Sequence, residues 1–208
     1  VGGDGSLWQT GNIAVGYGVS GTLTIENGGR VDSNTAVIGF GDSTQTSAVK
    51  VDYDAPSPGQ VSIWAVEDNL TIGPSGAGLV DVGHGGQLAV NQNVSILDGM
   101  LKVMGQTATH AASLLNVMGS VLVGGPNTAV LFLDDGAEGQ IGEDLIVGQE
   151  GPGRVMIVGG VDASSSLMVN DPTMGTCLIG REFPGRVDMT GYANLGCRNV
   201  QLGLAGTG

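Results

Sequence analysis

The sequence is poor in basic residues. Lys and Arg together number 7 against 20 Asp and Glu, which gives a formal net charge of −13 at pH 7. Proteins that bind nucleic acid need basic side chains to contact the phosphates. We therefore expect no nucleic-acid partner and repulsion from anionic lipid, whereas divalent cations such as Ca²⁺ would be attracted.

Long apolar runs, aromatic residues and cysteines are also scarce. No apolar run approaches the roughly 20 residues that span a bilayer, so we expect no membrane insertion of this segment. The start, VGGDGSLW, lacks the basic and apolar parts of a signal peptide and reads as the interior of a longer protein. Aromatic residues make up 4% of the chain, which leaves few side chains for a sugar-stacking cleft.

Glycine and small β-forming residues dominate instead. Glycine occurs 39 times, without the every-third-residue spacing of collagen, and the mean hydropathy is +0.20. Disordered chains are usually poor in apolar residues, so this chain is expected to fold. Abundant Val, Thr, Asn and Gly favour short strands separated by many turns.

A short motif recurs along the chain: two apolar residues at alternating positions, usually followed by glycine. Its eight copies are separated by 23, 34, 24, 27, 24, 32 and 23 residues. A unit of 23–24 residues with occasional loop insertions accounts for every interval. The copies read NIAVG, TAVIG, NLTIG, NVSIL, SVLVG, DLIVG, TCLIG and NVQLG.

Alternation within each unit predicts which residues face inward. The first strand would supply two columns that are entirely apolar or cysteine. These columns are Ile13, Ala36, Leu70, Val94, Val121, Leu145, Cys177 and Val200, and Val15, Ile38, Ile72, Ile96, Val123, Val147, Ile179 and Leu202. A second strand follows each motif after a short turn, with inward pairs that begin with Leu23 and Ile25 and end with Val187 and Met189. A third short strand is marked by Val31, Leu88 and Leu195.

Three short strands per unit predict an all-β parallel β-helix (β-solenoid), right-handed, with about eight coils stacked at about 4.8 Å. Residues 1–208 would form a single solenoid segment. A β-sandwich or propeller would need hairpin turns every 8–12 residues, whereas like strands recur here at about 23.

A polar column is expected to precede the first strands, where short side chains can bond one another and the turn backbone. Two of its members, Asn69 and Asn93, also form N-x-S/T sequons, which the ladder itself explains. The column is Asn12, Thr35, Asn69, Asn93, Ser120, Asp144, Thr176 and Asn199.

The repeats resemble those of a known family. The pattern W-x-x-G-N-I-A-V-G-x-G-x-x-G-T-L-T-I-x-N-G-G-x-V, from Trp8 to Val31, is similar to repeats of bacterial autotransporter (type V secretion) passengers and of PEP-CTERM-associated repeat proteins. Residues 69–88 match it again, and residues 144–160 match in part. The resemblance implies a β-helical rod secreted to the bacterial surface or beyond, but it does not specify an activity.

The stretch GYGVSG satisfies the dinucleotide-binding pattern G-x-G-x-x-G at Gly16, Gly18 and Gly21. A nucleotide site requires this pattern to join a strand to a helix. Here it would join two strands, which favours a solenoid corner. His84 and His110 have no partner at metal-ligand spacing, and His84 stands where the earlier repeat has the turn residue Asn27.

The two cysteines, Cys177 and Cys197, lie 20 residues apart, close to one coil. Their positions relative to the motif differ by three residues, about 10 Å along a strand, and a disulfide needs Cα atoms within about 7 Å. We therefore favour unpaired cysteines, with Cys177 as a small core residue, and leave pairing as the alternative. Two cysteines alone do not fix the redox compartment.

Charged residues are expected on the outward face of the second strands. Glu26 and Asp52 would lie about 5 Å apart on adjacent coils, with Lys50 and Asp81 beside them. Carboxylates at this spacing suit a retaining glycosidase, and clustered carboxylates suit Ca²⁺. Glu26, Asp52 and Asp81 are thus candidate catalytic residues, and Glu26 and Asp52 are candidate Ca²⁺ ligands. A solvated charge ladder of small energetic value explains the same pattern without a ligand.

Function is therefore expected in one of two classes. The first is an extracellular structural or adhesive rod without catalysis or cofactor, which self-associates or binds other surface proteins or glycans. Its candidate interaction patch is Met104, Phe132, Met156 and Val158, because exposed apolar patches mark partner surfaces. The alternative is a polysaccharide-degrading β-helix, whose groove would need the insertions at 40–47 with 54–60 and at 159–166 with 171–174.

Overall fold

The structure is a computed structural model that describes residues 1–41, 45–53, 61–105, 112–161, 163–169 and 175–203. His110 and much of the predicted insertions lie outside these ranges.

The first eleven strands in chain order are β1 (Leu7–Tyr17), β2 (Thr22–Glu26), β3 (Arg30–Phe40), β4 (Ser47–Asp52), β5 (Ile63–Val66), β6 (Leu70–Ile72), β7 (Gly78–Gly83), β8 (Gln87–Val90), β9 (Val94–Ile96), β10 (Gly99–Met104) and β11 (Leu114–Val117). The remaining strands are β12 (Val121–Val123), β13 (Ala129–Asp134), β14 (Glu138–Ile141), β15 (Leu145–Val147), β16 (Gly153–Val158), β17 (Ser165–Val169), β18 (Thr176–Ile179), β19 (Gly185–Thr190), β20 (Ala193–Cys197) and β21 (Asn199–Leu202).

The strands form two sheets that wrap around one core. A seven-stranded sheet has the order β19-β16-β13-β10-β7-β4-β2. A fourteen-stranded sheet holds the other strands, and its long strands β1 and β3 each supply both the third strand of one coil and the first strand of the next. Every strand pairing among the described residues is parallel, which confirms the predicted β-solenoid.

The predicted inward columns are confirmed in register, and their members are buried except in the last rungs, where Met189, Val200 and Leu202 are exposed. Ile13 is aligned with Ala36, Ala36 with Leu70, and the register continues without a slip to Cys177 and Val200. First strands form eight rungs, whereas the seven-stranded sheet has seven, so the described chain completes slightly fewer turns than the eight coils expected. Nearly all inward side chains are buried, because each rung is covered by the rungs on both sides.

The core is packed closely enough to select individual side-chain sizes. Trp64, the largest fully buried side chain, lies in the third-strand column, where its Nε1 donates a hydrogen bond to Ser33 Oγ at 3.4 Å. The same column contains Gly139, where an added Cβ would lie 2.6 Å from Leu167 Cδ1. Neighbouring rungs therefore compensate one another in volume, as interiors at crystal-like density require.

The polar ladder is also present. Thr35 Oγ1 donates to Asn12 Oδ1 at 2.9 Å, and the backbone amide of Asn93 donates to Asn69 Oδ1 at 3.1 Å. The later rungs continue the pattern, because each side-chain oxygen accepts the amide of the next member. The contacts are Ser120 N to Asn93 Oδ1 at 2.9 Å, Asp144 N to Ser120 Oγ at 3.3 Å and Thr176 N to Asp144 Oδ1 at 2.9 Å.

Glycine allows the coil to turn where neighbouring backbones come too close for a side chain. Gly73 has a φ of +72°, and a Cβ there would lie 1.8 Å from the carbonyl oxygen of Asp98. The stretch from Gly16 to Gly21 joins strand β1 to strand β2, so the predicted corner is confirmed and no helix follows it. A nucleotide site of the strand–helix type is thereby excluded at this position.

A second corner joins each strand of the seven-stranded sheet to the third strand of the same coil. Its structure alternates between two forms along the chain. Compact coils use a non-glycine residue with positive φ, namely Asn27 at 53°, His84 at 47° and Asp135 at 51°. The intervening coils place a buried serine there, whose hydroxyl accepts an amide from the compact turn. These bonds are Gly28 N to Ser62 Oγ, Gly85 N to Ser113 Oγ and Gly136 N to Ser165 Oγ, at 3.2, 3.1 and 3.0 Å.

Cys177 and Cys197 form a disulfide, which corrects our expectation that they would remain unpaired. Their Cα atoms are 6.0 Å apart. The expectation assumed an offset along one strand, but Cys177 lies in β18 and Cys197 ends β20, with β19 between them. Cys177 belongs to the core and Cys197 packs against it, so the two side chains meet inside the solenoid.

Removing this disulfide should destabilise the C-terminal coils. A cross-link that closes a loop of this length contributes about 3 kcal/mol to the free energy of unfolding, mainly by restricting the unfolded chain. We expect a Cys177→Ala/Cys197→Ser double variant to lose about this amount in urea denaturation. A variant as stable as the wild type under oxidising conditions would show that the bond does not form.

Candidate functional site

The outer face of the seven-stranded sheet carries nearly all the residues that the sequence singled out. Outward side chains form three columns that run along the rod, and the register is fixed by the strand pairings. The central column is Thr24, Lys50, Asp81, Lys102, Phe132, Met156 and Asp188. The flanking columns are Thr22, Ala48, Leu79, Met100, Val130, Arg154 and Arg186 on one side, and Glu26, Asp52, Gly83, Met104, Asp134, Val158 and Thr190 on the other.

Asp52 is buried, contrary to the expectation that it faces solvent as Glu26 does. It is 3% exposed, and one carboxylate oxygen accepts a hydrogen bond from His84 Nδ1 at 2.7 Å. The other oxygen binds the ammonium group of Lys50 on the same strand. Its neighbour on the next rung is Gly83, which directly precedes His84.

The other two candidate carboxylates have different surroundings. Glu26 is aligned with Asp52 on the adjacent rung, remains exposed and has its Cγ close to Gly2. Asp81 is aligned with Lys50 and Lys102, and its Oδ1 is shielded from solvent without a hydrogen-bond partner in the described part of the chain. The structure thus places Glu26 and Asp52 on neighbouring rungs as predicted, but Asp52 is already occupied.

The partners of Asp52 determine its ionisation. Burial raises the pKa of the carboxyl group, but hydrogen bonds from Lys50 and His84, together with their charges, outweigh burial and hold the pKa below its ordinary value. Asp52 is therefore ionised at neutral pH. An ionised carboxylate with both oxygens engaged is a poor general acid and a poor nucleophile.

Metal binding finds little support in the same geometry. Ca²⁺ takes six to eight oxygen ligands, and both oxygens of Asp52 already bind cationic or donor groups. Over the described ranges, no group of three or more His, Cys, Asp or Glu side chains is placed to hold a metal ion. The Ca²⁺ ligands suggested by the sequence stay a prediction.

The apolar residues of the candidate patch lie together on the C-terminal half of this face. Phe132 and Met156 are aligned on adjacent rungs, while Asp134 separates Met104 from Val158. All four apolar side chains are half-buried. Sequence reasoning missed Met100 and Val130 in the next column, although the same alternation that places Phe132 outward also places them there. We call the seven-stranded sheet sheet A. The sheet-A patch comprises Met100, Met104, Val130, Phe132, Met156 and Val158, of which Val130 is buried.

Charge is distributed unevenly between this face and the rest of the molecule. The strands of the seven-stranded sheet carry five of the 20 acidic residues and four of the seven basic residues, a net charge of −1. The remainder of the chain therefore has a net charge of −12. The charged residues of the sheet are Glu26, Asp52, Asp81, Asp134, Asp188, Lys50, Lys102, Arg154 and Arg186.

Basic residues at the C-terminal end of the face are held in place by one carboxylate. Arg154 Nε and Arg186 Nε each donate to Asp188 at 2.6 Å. Loss of hydration raises the pKa of Asp188, but the hydrogen bonds from the two guanidinium groups and their positive charges outweigh it and hold the pKa below its ordinary value. The sheet-A patch is thus bordered by ordered charged groups.

Two further surface features were missed by sequence reasoning. An apolar stripe of Leu122, Ile146 and Leu178 runs along the outer face of the fourteen-stranded sheet. Tyr17 and Phe40 stack at the ends of β1 and β3. The stripe lies on outward positions of strands whose inward residues had been identified, so alternation together with coil register was the available signal. Tyr17 and Phe40 instead lie two residues after the inward Val15 and Ile38, and the positive φ of Gly16 and Gly39 interrupts the alternation before them.

Comparisons with known proteins do not assign the chain to a family. No family model matches it, and neither a curated protein nor a solved structure does. Within the described residues, no helix is long and apolar enough to cross a bilayer. Function must therefore be argued from the surface geometry.

The Asp52 cluster generates a pH-dependent prediction. Because the pKa of Asp52 is lower in the folded state, its contribution to stability is complete above the unfolded value of about 4 and is lost as pH falls through the folded pKa. We expect Asp52→Asn to be destabilised relative to the wild type at pH 7 and the difference to shrink below pH 4.

Urea denaturation at both pH values measures this difference. Glu150→Gln changes an exposed corner residue and serves as the control. Its free energy of unfolding relative to the wild type should be the same at both pH values. An Asp52→Asn variant equally destabilised at pH 7 and at pH 2.5 would contradict the role of the ionised carboxylate.

Proposed function

We propose that this solenoid is a non-catalytic structural and adhesive rod of an extracellular or cell-surface assembly, and that rods associate laterally through the outer face of the seven-stranded sheet. The observation that carries the proposal is the combination on this face of the sheet-A patch with nearly balanced charge. The side chains of the patch are half-buried apart from the buried Val130, and contiguous apolar side chains at the surface mark interaction sites.

A second copy of the chain is the partner that fits best. Two copies with net charges of −13 repel each other over most of their surface, and this face, at −1, carries little of that charge. An antiparallel face-to-face arrangement would set Phe132 against Met156 of the second copy. The same arrangement would set Lys102 against Asp188 of the second copy, a pair of opposite charges at the border of the patch.

The size of the face predicts weak, reversible association. The four rungs that face each other in this arrangement, from Lys102 to Asp188, cover roughly 19 Å by 17 Å, about 320 Å² of flat area. Stable interfaces bury about 800 Å² per partner, so this contact is smaller than a stable interface requires. Such an interface suits bundling of many rods at a surface, where the local concentration is high.

The disulfide supports the proposed location. Disulfides form and persist in oxidising compartments such as the exterior of the cell and the periplasm. Cys177–Cys197 closes the C-terminal coils of the described chain. The resemblance of the repeats to secreted bacterial passengers points to the same location.

Polysaccharide degradation, the alternative function, receives less support from the geometry. A glycosidase needs one carboxyl group that donates a proton and a second that attacks or activates water. Asp52 is ionised, buried and engaged, and Glu26 alone remains exposed beside it. Turnover of any neutral or acidic glycan by the wild type, lost in Asp52→Asn, would establish the alternative and overturn our proposal.

Placing a charge in the sheet-A patch should abolish lateral association. We expect the wild type to show concentration-dependent association in sedimentation velocity and Phe132→Glu to weaken it at least tenfold, because the interface would bury an unpaired carboxylate. Thr24→Glu, in the same column but outside the patch, is the matched control.

Circular dichroism would confirm that both variants remain folded. A wild type that stays monomeric at millimolar concentration would refute lateral association. The same conclusion would follow if Thr24→Glu weakened association as much as Phe132→Glu.

A further inference from the structure

We propose that Asn27 is a latent modification site, at which stacking of the following coil suppresses the spontaneous conversion of asparagine to aspartate and isoaspartate. Asn27 is the only asparagine in the sequence that precedes a glycine. Glycine offers the least steric hindrance to attack by its own backbone nitrogen, because it has no Cβ. The site lies in a corner and uses no residue of the sheet-A patch, so its test does not depend on lateral association.

The reaction needs only the side chain of Asn27, the next backbone amide and water. The nitrogen of Gly28 loses its proton and attacks Cγ of the Asn27 side-chain amide, which forms a five-membered succinimide ring and expels ammonia. Water then adds to one of the two ring carbonyl groups and opens the ring. Opening at one carbonyl gives aspartate, and opening at the other gives isoaspartate, in which the main chain runs through Cβ and Cγ.

The geometry of the turn keeps the two reacting atoms apart. Asn27 and Gly28 have φ of +53° and +82°, and Gly29 N donates to the carbonyl oxygen of Glu26 at 2.9 Å. This combination defines a type I′ turn, whose first central residue has a ψ of about +30°. At that ψ the nitrogen of Gly28 lies nearly opposite the Cβ of Asn27 across the Cα–C bond. Ring closure requires the nitrogen beside Cβ, so the peptide plane must first rotate through nearly half a turn.

A buried serine on the next coil holds that peptide plane in place. Gly28 N donates to Ser62 Oγ at 3.2 Å, and the same hydroxyl donates to the carbonyl oxygen of Asp52 at 2.6 Å. Ser62 is fully buried, so rotation of the plane would break a hydrogen bond that water does not replace. The bond also opposes loss of the Gly28 proton, which the reaction must remove.

The same arrangement occurs at two further type I′ turns, which lets the chemistry be separated from the architecture. His84 and Asp135 occupy the position of Asn27, and the amides that follow them donate to Ser113 and Ser165 at 3.1 and 3.0 Å. Histidine at this position cannot form the ring. Asp135 forms it only by losing water from a protonated carboxyl group, which is a slower reaction at neutral pH.

Modification of Asn27 would make local opening of the rod irreversible. Isoaspartate adds one atom to the main chain between β2 and β3, and it replaces a neutral side chain with a carboxylate in a chain of net charge −13. The added atom lengthens the turn that sets the register of both strands against the next coil. Because the ring closes only when the coil has opened, the extent of modification records how often this coil opens.

Incubation at pH 8 followed by peptide mapping tests the proposal, because mapping resolves asparagine, aspartate and isoaspartate at residue 27. We expect the folded wild type to react at least tenfold more slowly than the same chain unfolded in urea. Ser62→Ala removes the bond to Gly28 and should speed the reaction of the folded protein at least fivefold. Ser113→Ala removes the equivalent bond beside His84 and is the matched control, which should leave the rate at Asn27 unchanged.

A second turn keeps the test decisive if circular dichroism shows that Ser62→Ala does not fold. Asp135→Asn places an asparagine before Gly136, at a turn with described coils on both sides. Conversion at this position should be slow, and adding Ser165→Ala should speed it at least fivefold.

Three results would overturn the proposal. The first is an equal rate at Asn27 in the folded and the unfolded wild type, and the second is an equal rate in folded Ser62→Ala and the wild type. The third is an acceleration by Ser113→Ala as large as that by Ser62→Ala. Sedimentation velocity of the same samples measures lateral association separately, and none of these results would bear on it.

Discussion

In-register parallel stacking is the constraint on which the rest of this structure depends. Each inward side chain is buried only because the rung on either side carries an apolar residue at the same place. A slip of one residue would turn every inward column outward. Ile13, Ala36 and Leu70 begin one such column, and the same register continues to the last described coil. Stability is therefore a sum of contacts between neighbouring coils.

The surface is governed by the same stacking. Outward residues also align in columns, so that side chains far apart in sequence become neighbours on one face. Phe132 and Met156 meet in this way, as do Tyr17 and Phe40. A solenoid thus has flat faces whose character changes along the rod, from charged near Lys50 and Asp81 to apolar near Phe132. Such faces suit lateral contact better than they suit a catalytic groove.

Alternation and repeat spacing predicted the inward columns, the corners and the polar ladder, because each follows from local pattern and a constant register. The disulfide and the burial of Asp52 were not predictable in the same way. Both depend on contacts between side chains of different strands, which the period does not encode. His84 was recognised as a turn residue, but its contact with Asp52 on the preceding rung was not.

Cross-linking of adjacent outward positions tests the register most directly. Thr71 and Ser95 are aligned on neighbouring rungs, and Thr71 and Leu122 lie two rungs apart, about 9.6 Å. Because a disulfide requires Cα atoms within about 7 Å, Thr71→Cys/Ser95→Cys should form one on mild oxidation, and Thr71→Cys/Leu122→Cys should not. Mass spectrometry of the unreduced digest reads the result. Cross-linking of the second pair alone would contradict the parallel, in-register stack.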